Sequence, residues 1–512
     1  MKRLRVILIS PSKYGDNGYV ERFRWRVVPN GTLPHLRSLT PSEVNGVLIE
    51  TFAVDEFSQS DLNYLHLLKK SDSPTLLALI GVQSNQFHRA LDLAAFARAH
   101  GVEHCIIGGP HPMTCDTSSL QGNGISFSLA EAELVWHQVL LDAADGWLRH
   151  VYGTGQRWEK NLNTPSLIPP SSKELNRGLI PMMGIYPARG CPYRCNFCSV
   201  IKIAGQRVRT EPIETTLQSF RTAKRAGIRA ITINSDNFNK HPQAKDLLQA
   251  LIDERINLPF FVQCDTTMID DEEFVRLLGK AGCYQVFVGT ETFDRDVLRD
   301  AKKTQNRPER YADIIELCHA HRISTHFSSI IGFPQQTRDS ILDHLQIEKA
   351  LNPSVASFWI LTPIPGTEQY EDFLSQGLIW DDNLDHFDGS LSVWHHPNLN
   401  ADELKDLLYY CYREFFSVPN ILARAIHQRW FHFPYPTSII LTSHSLFGRY
   451  TGCAQRQPMS TGIRPVLLDR AADYAQLRRK TFGFDLAPLP HNLPLPKVDD
   501  ESNKELINVQ TS

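Results

Sequence analysis

No apolar run in the 512-residue chain is long enough to cross a bilayer, so no transmembrane helix is expected. An excess of charge is also missing. The 53 Lys and Arg face 56 Asp and Glu, for a formal net charge of -3, which argues against a general polyanion-binding surface and against nucleic acid as a partner. The opening "MKRLRVILISPSKYG" has a short apolar run that ends at a Ser-Pro turn rather than a small-residue cleavage site. It reads as a first β-strand and not a signal peptide, and a cytoplasmic location with reduced thiols is expected. Cysteine is scarce, with ten in the whole chain. Seven of them (105, 115, 264, 283, 318, 411, 453) are scattered, which suits buried small hydrophobes better than a disulfide framework. The other three, Cys191, Cys195 and Cys198, fall together in "RGCPYRCNFCSV".

The patterning of the rest divides the chain. Over 1–147, the runs "RVILIS", "GVLIETF", "TLLALIGV", "HCIIGG" and "GISFSL" read as five buried parallel strands alternating with helices such as "QFHRALDLAAFARAHG". This predicts a doubly wound, flavodoxin-like α/β domain. A polar, Pro-containing linker is expected over 148–181. Over 182–389 the alternation restarts with "MGIYPA", "AITINSD", "PFFVQCD", "YQVFVGTE", "THFSSIIG" and "ASFWILTP". Six strands with amphipathic helices between them predict a partial (β/α)6 barrel of parallel strands. A mainly helical C-terminal region is expected over 390–490, one helix opening at Asn400 with Glu403 three positions on, a capping-box pattern. The Pro-rich, then polar end from Ala487 is expected to hold little fixed structure, with 491–512 a disordered tail.

The three clustered cysteines follow the first barrel strand, at the carboxyl edge where such folds place chemistry. Structural zinc normally takes four protein ligands, and no second Cys or His pair lies nearby. A redox pair would need only two cysteines. Three thiolates on one loop suit a [4Fe-4S] cluster with one iron left open. Gly190 and Pro192 shape the loop as a tight turn.

Cys-x-x-x-Cys-x-aromatic-Cys resembles the defining motif of the radical S-adenosylmethionine (SAM) superfamily, with Phe197 in the aromatic position. The resemblance implies a cluster held by Cys191, Cys195 and Cys198, SAM bound at the open iron, and reductive cleavage of SAM to a 5′-deoxyadenosyl radical. Further stretches resemble the family less specifically. "INSDNF" places Ser235, Asp236 and Asn237 where the SAM amino group is received, although a strand-end turn explains the same residues equally. "VFVGTET" carries Thr290 and Glu291, and Glu291 is a candidate for SAM or substrate polar groups. "FSSIIGFPQQT" matches a motif that lines the adenine at Gly332 and Pro334, with Ser328 where Gly is common and Gln336 where Glu is common. "LTPIPGTEQY" resembles "TPxPGT". These matches span residues 184–375.

A doubly wound domain ahead of such a barrel resembles the cobalamin-binding class of the superfamily. That implies cobalamin against Gly108 and Gly109 of "GGPHP" and the "SLAEAE" stretch at 128–133. The Asp-x-His-x-x-Gly motif that gives cobalt a histidine in many cobalamin proteins is absent. His88, His104 and His111 remain as polar candidates, and Arg22, Arg24 and Arg26 could meet an acidic group or form a solvated face. The aromatics Phe358, Trp359, Tyr370, Trp380 and Trp394 suit either a substrate wall or core.

The resemblance implies methylation of an unactivated carbon on a small molecule, with an external electron donor such as flavodoxin or ferredoxin. Cyclisation or rearrangement without methyl transfer is the alternative. A tRNA methylthiotransferase would want three N-terminal cysteines and a C-terminal β-barrel. A non-catalytic cobalamin or iron-sulfur binder would not need the complete three-cysteine loop.

Overall fold

The computed structural model describes residues 2–495 except 163–164, 166, 431–432, 434, 456–457 and 459–461. The five apolar runs become β1 (Arg3–Ser10), β2 (Val47–Asp55), β3 (Thr75–Leu79), β4 (His104–Gly108) and β5 (Ile125–Ser128). They lie in the order β2-β1-β3-β4-β5, all parallel. This is the doubly wound order expected. Two short strands extend it to seven: Glu43–Val44, antiparallel to β2, and Val151–Tyr152, parallel to β5. Every residue of β3 is buried, the reason it reads as an unbroken apolar run. Leu91 and Ala94 from the helix Phe87–Ala99 cover Ile7 and Leu77 on one face. Leu36 and Val139 cover Val6 and Leu76 on the other.

The second sheet contains β6 (Met182–Ile185), β7 (Ala230–Ile233), β8 (Phe260–Cys264), β9 (Cys283–Glu291), β10 (Ser324–Ile331) and β11 (Val355–Ile360). Neighbours follow chain order and all pairs are parallel. This is the partial barrel, with β6 and β11 as its edges. The β11 edge does not stay bare. The Tyr412 hydroxyl accepts from Phe358 N at 3.0 Å and donates to Phe358 O at 3.1 Å, acting as a surrogate strand. Tyr412 sits on the helix Ala401–Phe415, whose start is the expected capping box. Glu403 N donates to Asn400 Oδ1 and Asn400 N to Glu403 Oε2, both at 2.9 Å. Among the described residues no helix is long and apolar enough to cross a membrane.

Three regions depart from the expectations. Val151–Tyr152, inside the expected linker, belongs to the first sheet. The C-terminal region does not stay with the barrel: Ile463–Pro465 pairs antiparallel with Phe23–Trp25, and the helix Ala471–Phe482 lies against Phe87–Ala99. Residues 487–493 are also fixed, because Ala487 N donates to His88 Nε2 at 2.9 Å, Tyr370 donates to Pro490 O at 2.9 Å and Leu493 N donates to Thr114 O at 2.8 Å. A Pro-rich segment with no regular structure of its own is ordered by partners far away in sequence. The expected tail beyond residue 495 lies outside the described residues.

The return of the C-terminus is held by buried charge. Glu56 accepts from Arg22 Nη2 at 2.8 Å and Arg89 Nη2 at 2.6 Å, and Asp469 accepts from Arg89 at 3.0 Å. Glu56, Arg22 and Arg89 are all within 1% of full burial. Burial would raise the Glu56 carboxyl, but Arg89 and Arg22 outweigh it and hold it at about 2. This contribution is complete above the ordinary value of 4.5 and is lost as pH falls from there toward about 2. Glu56→Ala, which strands two buried guanidinium groups, is expected to lower unfolding free energy by about 3–5 kcal/mol in urea denaturation. The wild type is expected to lose stability between those pH values more steeply than the variant.

Candidate functional site

The three cysteines lie on the loop after β6. Gly190 opens it with φ +105°, and a Cβ there would stand 2.3 Å from Arg207 O, so only glycine fits. Gly190 N donates to Asp236 Oδ2 at 2.7 Å, which ties the loop to the end of β7. Cys191 N donates to Gly205 O at 3.2 Å, Asn196 N to Ala301 O at 3.1 Å and Cys198 N to Cys195 O at 3.1 Å. All three thiols are free and half-buried. Two amides face sulfur: Asn237 Nδ2 lies 3.9 Å from Cys191 Sγ and Gln305 Nε2 lies 3.8 Å from Cys195 Sγ. Burial raises all three thiols, Cys198 to about 12. Ligation there must therefore displace protons.

The chemistry of this donor set fits an iron-sulfur cluster. Among the described residues no three Cys, His, Asp or Glu side chains converge on a single ion. Three thiols on one loop suit a cluster in which the protein holds three irons. The amides of Asn237 and Gln305 offer the sulfur hydrogen bonds that tune such clusters. Lys303 adds positive charge beside Cys195 and Cys198.

Around the loop the structure gathers most of the other candidates. Phe197 packs edge-on to Phe333 at 6.4 Å, which brings the loop against the Gly332–Pro334 turn. Lys303 Nζ stands 5.8 Å from the Phe197 ring centroid and is ion-paired with Glu291. Glu291 has φ +60° where the β9–β10 register shifts, an unusual backbone for a side chain other than glycine. Asn306 supports that turn by donating to Gly289 O and Thr290 O, each at 3.0 Å. Ser235 is buried and its hydroxyl has no partner among the described residues. Gln336 has an internal task, since its Oε1 accepts from Gly332 N at 2.7 Å and Phe333 N at 3.1 Å. An acceptor is all that this turn requires, which accounts for Gln in place of Glu.

The first domain presents its carboxyl edge to this loop. The "SLAEAE" stretch supplies Glu131 and Glu133. Arg209 grips Glu131 with both nitrogens at 2.7 and 2.8 Å, and Arg189 reaches Glu133 at 2.6 Å and Glu131 at 3.3 Å. The short helix Pro110–Thr114 packs on Val200–Ile203, just beyond the cysteines. Gly366 of "TPIPGT" comes so close to Thr114 that a Cβ would stand 2.5 Å from it. The two sheets thus meet carboxyl edge to carboxyl edge. Arg189, Arg209, Lys303, Gln305 and Asn306 escaped the sequence reading; only Arg189, beside Gly190, offered a positional signal.

Several candidates have other roles. Gly109 has φ +137°, and a Cβ would meet Val82 N at 2.2 Å, so it serves close backbone packing within the domain; Gly108 is not so constrained. His88 uses both nitrogens internally, with Asp385 at 3.1 Å and Ala487 N at 2.9 Å. His111 is 1% exposed, bonds Ser84 at 2.9 Å and stacks on Phe87. His88 thus has no ring nitrogen left to ligate. Arg22 is buried in the charge network, Arg26 pairs with Asp55 at 2.5 Å, and Arg24 lies over Trp25. Phe358, Tyr370 and Trp394 are core, Trp380 is exposed, and Trp359 faces the barrel interior. Six of the seven scattered cysteines are buried as expected, and Cys453 is exposed.

Residues 185–347 match the family model for the Radical SAM superfamily. Two curated relatives come from Chlorobaculum tepidum. A bacteriochlorophyllide d C-12(1)-methyltransferase is 26% identical over 302 residues, 57% of this chain and 63% of its own length. A bacteriochlorophyllide d C-8(2)-methyltransferase is 24% identical over 451 residues, 84% of this chain and 96% of its own. The match thus spans under two thirds of the first relative and nearly all of the second. Among solved structures, the radical S-adenosylmethionine methyltransferase TsrM from Kitasatospora setae, with cobalamin and [4Fe-4S] cluster bound, has a TM-score of 0.56 at 18% identity, covering 73% of this chain and 78% of that one. At that identity the likeness is one of fold.

Gln336→Glu retains the acceptor and is expected to leave thermal stability near wild type at neutral pH. Gln336→Leu orphans two backbone N–H groups and is expected to lower stability by about 1–3 kcal/mol, read by chemical denaturation.

Proposed function

We propose that this chain, in which residues 185–347 form a radical SAM domain, is a cobalamin-dependent radical SAM enzyme that methylates an unactivated carbon of a small molecule. The observation that carries the reading is the opposition of the two carboxyl edges, with the three-cysteine loop on one and the "GGPHP" and "SLAEAE" turns on the other. When bound, the cluster and SAM supply a 5′-deoxyadenosyl radical and cobalamin supplies methyl-transfer chemistry. The protein supplies binding, orientation and shelter.

The chain's own residues divide the work. Cys191, Cys195 and Cys198 hold the cluster, and Asp236 fixes the loop through Gly190 N. Ser235, with a free buried hydroxyl, and Glu291, once released from Lys303, offer polar groups to SAM. Phe197 and Phe333 form an apolar wall beside them, while Gly332 and Pro334 line the adenine. Gly108 and the Glu131 turn border the space for the corrinoid. Arg189 and Arg209 keep the two edges together and limit entry of water that would quench a radical. The names of the two Chlorobaculum tepidum relatives support methyl transfer, and the helical C-terminal region gives no support to a tRNA methylthiotransferase. Reduction would draw on an external one-electron donor such as flavodoxin or ferredoxin, and a cytoplasmic location, where thiols stay reduced, suits the cluster.

After anaerobic reconstitution with iron, sulfide and hydroxocobalamin, about four irons and one cobalt per chain are expected. Cys191→Ala/Cys195→Ala/Cys198→Ala is expected to lose the iron and keep the cobalt. A methyl-labelled SAM should leave its label in product; iron without cobalt, or product without label, would move the assignment to cyclisation or rearrangement.

A further inference from the structure

The partial barrel holds a half-open cavity of about 280 Å³, and among the described residues no Asp, Glu, Lys or Arg lines it. Its roof is Ile440, Ser443 and His444 of the helix Tyr435–Ala454, with Val27 to Pro29 from the first domain beside them. Rings form much of the wall. Phe261 and Phe287 lie 6.4 Å apart, Phe287 meets His326 edge-on at 4.9 Å, and Trp359 lines the same cavity.

Several polar side chains break this apolar lining, and five of them carry buried atoms with no partner among the described residues. Among the described residues both the Nε2 and Oε1 of Gln285 lack a partner, as do Thr232 Oγ1, His326 Nε2, Ser357 Oγ and His444 Nδ1. Gln285 is 0% exposed, Ser357 1%, Thr232 6% and His326 8%. Buried polar atoms are nearly always paired, and exceptions concentrate where a partner arrives from outside. A free carboxamide offers a donor and an acceptor side by side. Its complement is an edge carrying C=O next to N–H.

Charge is excluded by the same walls. An ion here would lose its hydration and meet no counter-ion. Burial keeps both histidines neutral, His326 far below its ordinary value and His444 at about 4. The volume lies just below the range of about 300–1,000 Å³ usual for ligand pockets, enough for one small fused ring system. The cavity also reaches the chemistry. Asn234 lines it, Ser235 and Asp236 follow directly, and Asp236 holds the cluster loop.

We propose that this cavity seats the reacting part of the substrate and selects an uncharged, flat ring system with adjacent N–H and C=O groups. The choice of reaction rests on the radical SAM reading above, whereas the binding preference rests on the cavity alone.

The test is calorimetric titration of the reconstituted full-length enzyme with quinolin-2(1H)-one, a neutral lactam, and with quinoline-2-carboxylate, its charged counterpart. The lactam is expected to bind and the carboxylate not. Gln285→Leu should weaken lactam binding by at least about tenfold, because the buried N–H and C=O of the lactam would then lack partners. The same variant should melt no lower than wild type, since it removes an unpaired buried amide without removing volume. Thr232→Val provides a second, isosteric variant with the same expected pairing of weaker binding and undiminished melting temperature. Equal binding of the carboxylate, no binding of the lactam to wild type, or a lowered melting temperature with unchanged binding in both variants would overturn the proposal. Release of 5′-deoxyadenosine from SAM by the wild type is measured in parallel. Its absence with lactam binding intact would sink the radical reading and leave the cavity's preference standing.

Discussion

Everything at the candidate site depends on two buried carboxylates meeting two guanidinium groups. Arg189 and Arg209 flank the cysteine loop in sequence, and Glu131 and Glu133 stand at the start of the helix Ala132–Ala144 that follows β5. Both partners are largely withdrawn from water, so neither side can release the other without leaving a desolvated charge. The bidentate grip of Arg209 on Glu131 fixes direction as well as distance. The pairing therefore orients the first domain's carboxyl edge over the cysteine loop. His35, 2.7 Å from Glu133, adds a further tie from the first domain.

A second buried network ties the C-terminal return to the first domain. Glu56, Arg22, Arg89 and Asp469 draw the N-terminal segment, the first domain and the C-terminal return into one unit. Arg478 extends it by holding Asp92 at 2.6 Å. Residues 463–493 thus close over the first domain after the chain has completed the barrel. The C-terminal region is less a separate domain than a strap across both sheets. The same geometry positions the helix Tyr435–Ala454 over the barrel cavity, on the way from β11's cover helix back to the first domain.

The legible and illegible parts of the sequence separate by range. Eleven principal strands are readable because each is a short apolar run buried by its immediate neighbours in the βα repeat. The capping box at Asn400 is readable because both of its partners lie within four residues. The candidate loop is readable because three thiols at fixed spacing have few alternative explanations. By contrast, Arg22 and Arg26 look like one face of a basic strand, yet their partners Glu56 and Asp55 come from a different element. His88 looks like a candidate ligand until both of its ring nitrogens are seen to be engaged within the fold. Gln336 looks like a departure from a pattern, and the backbone N–H groups it caps explain it.

Local chemistry along the chain determined the two βα series, the cysteine loop at the end of β6, and the glycine that starts that loop. These follow from periodicity, burial and backbone stereochemistry, which act between near neighbours. Tertiary structure alone decided that the two carboxyl edges face each other, that Lys303 occupies Glu291, that residues 487–493 are fixed, and that unpaired Gln285, His326 and Ser357 share one neutral cavity. Each of these depends on contacts between residues tens to hundreds of positions apart, and no local pattern encodes which distant charge or ring a side chain will meet.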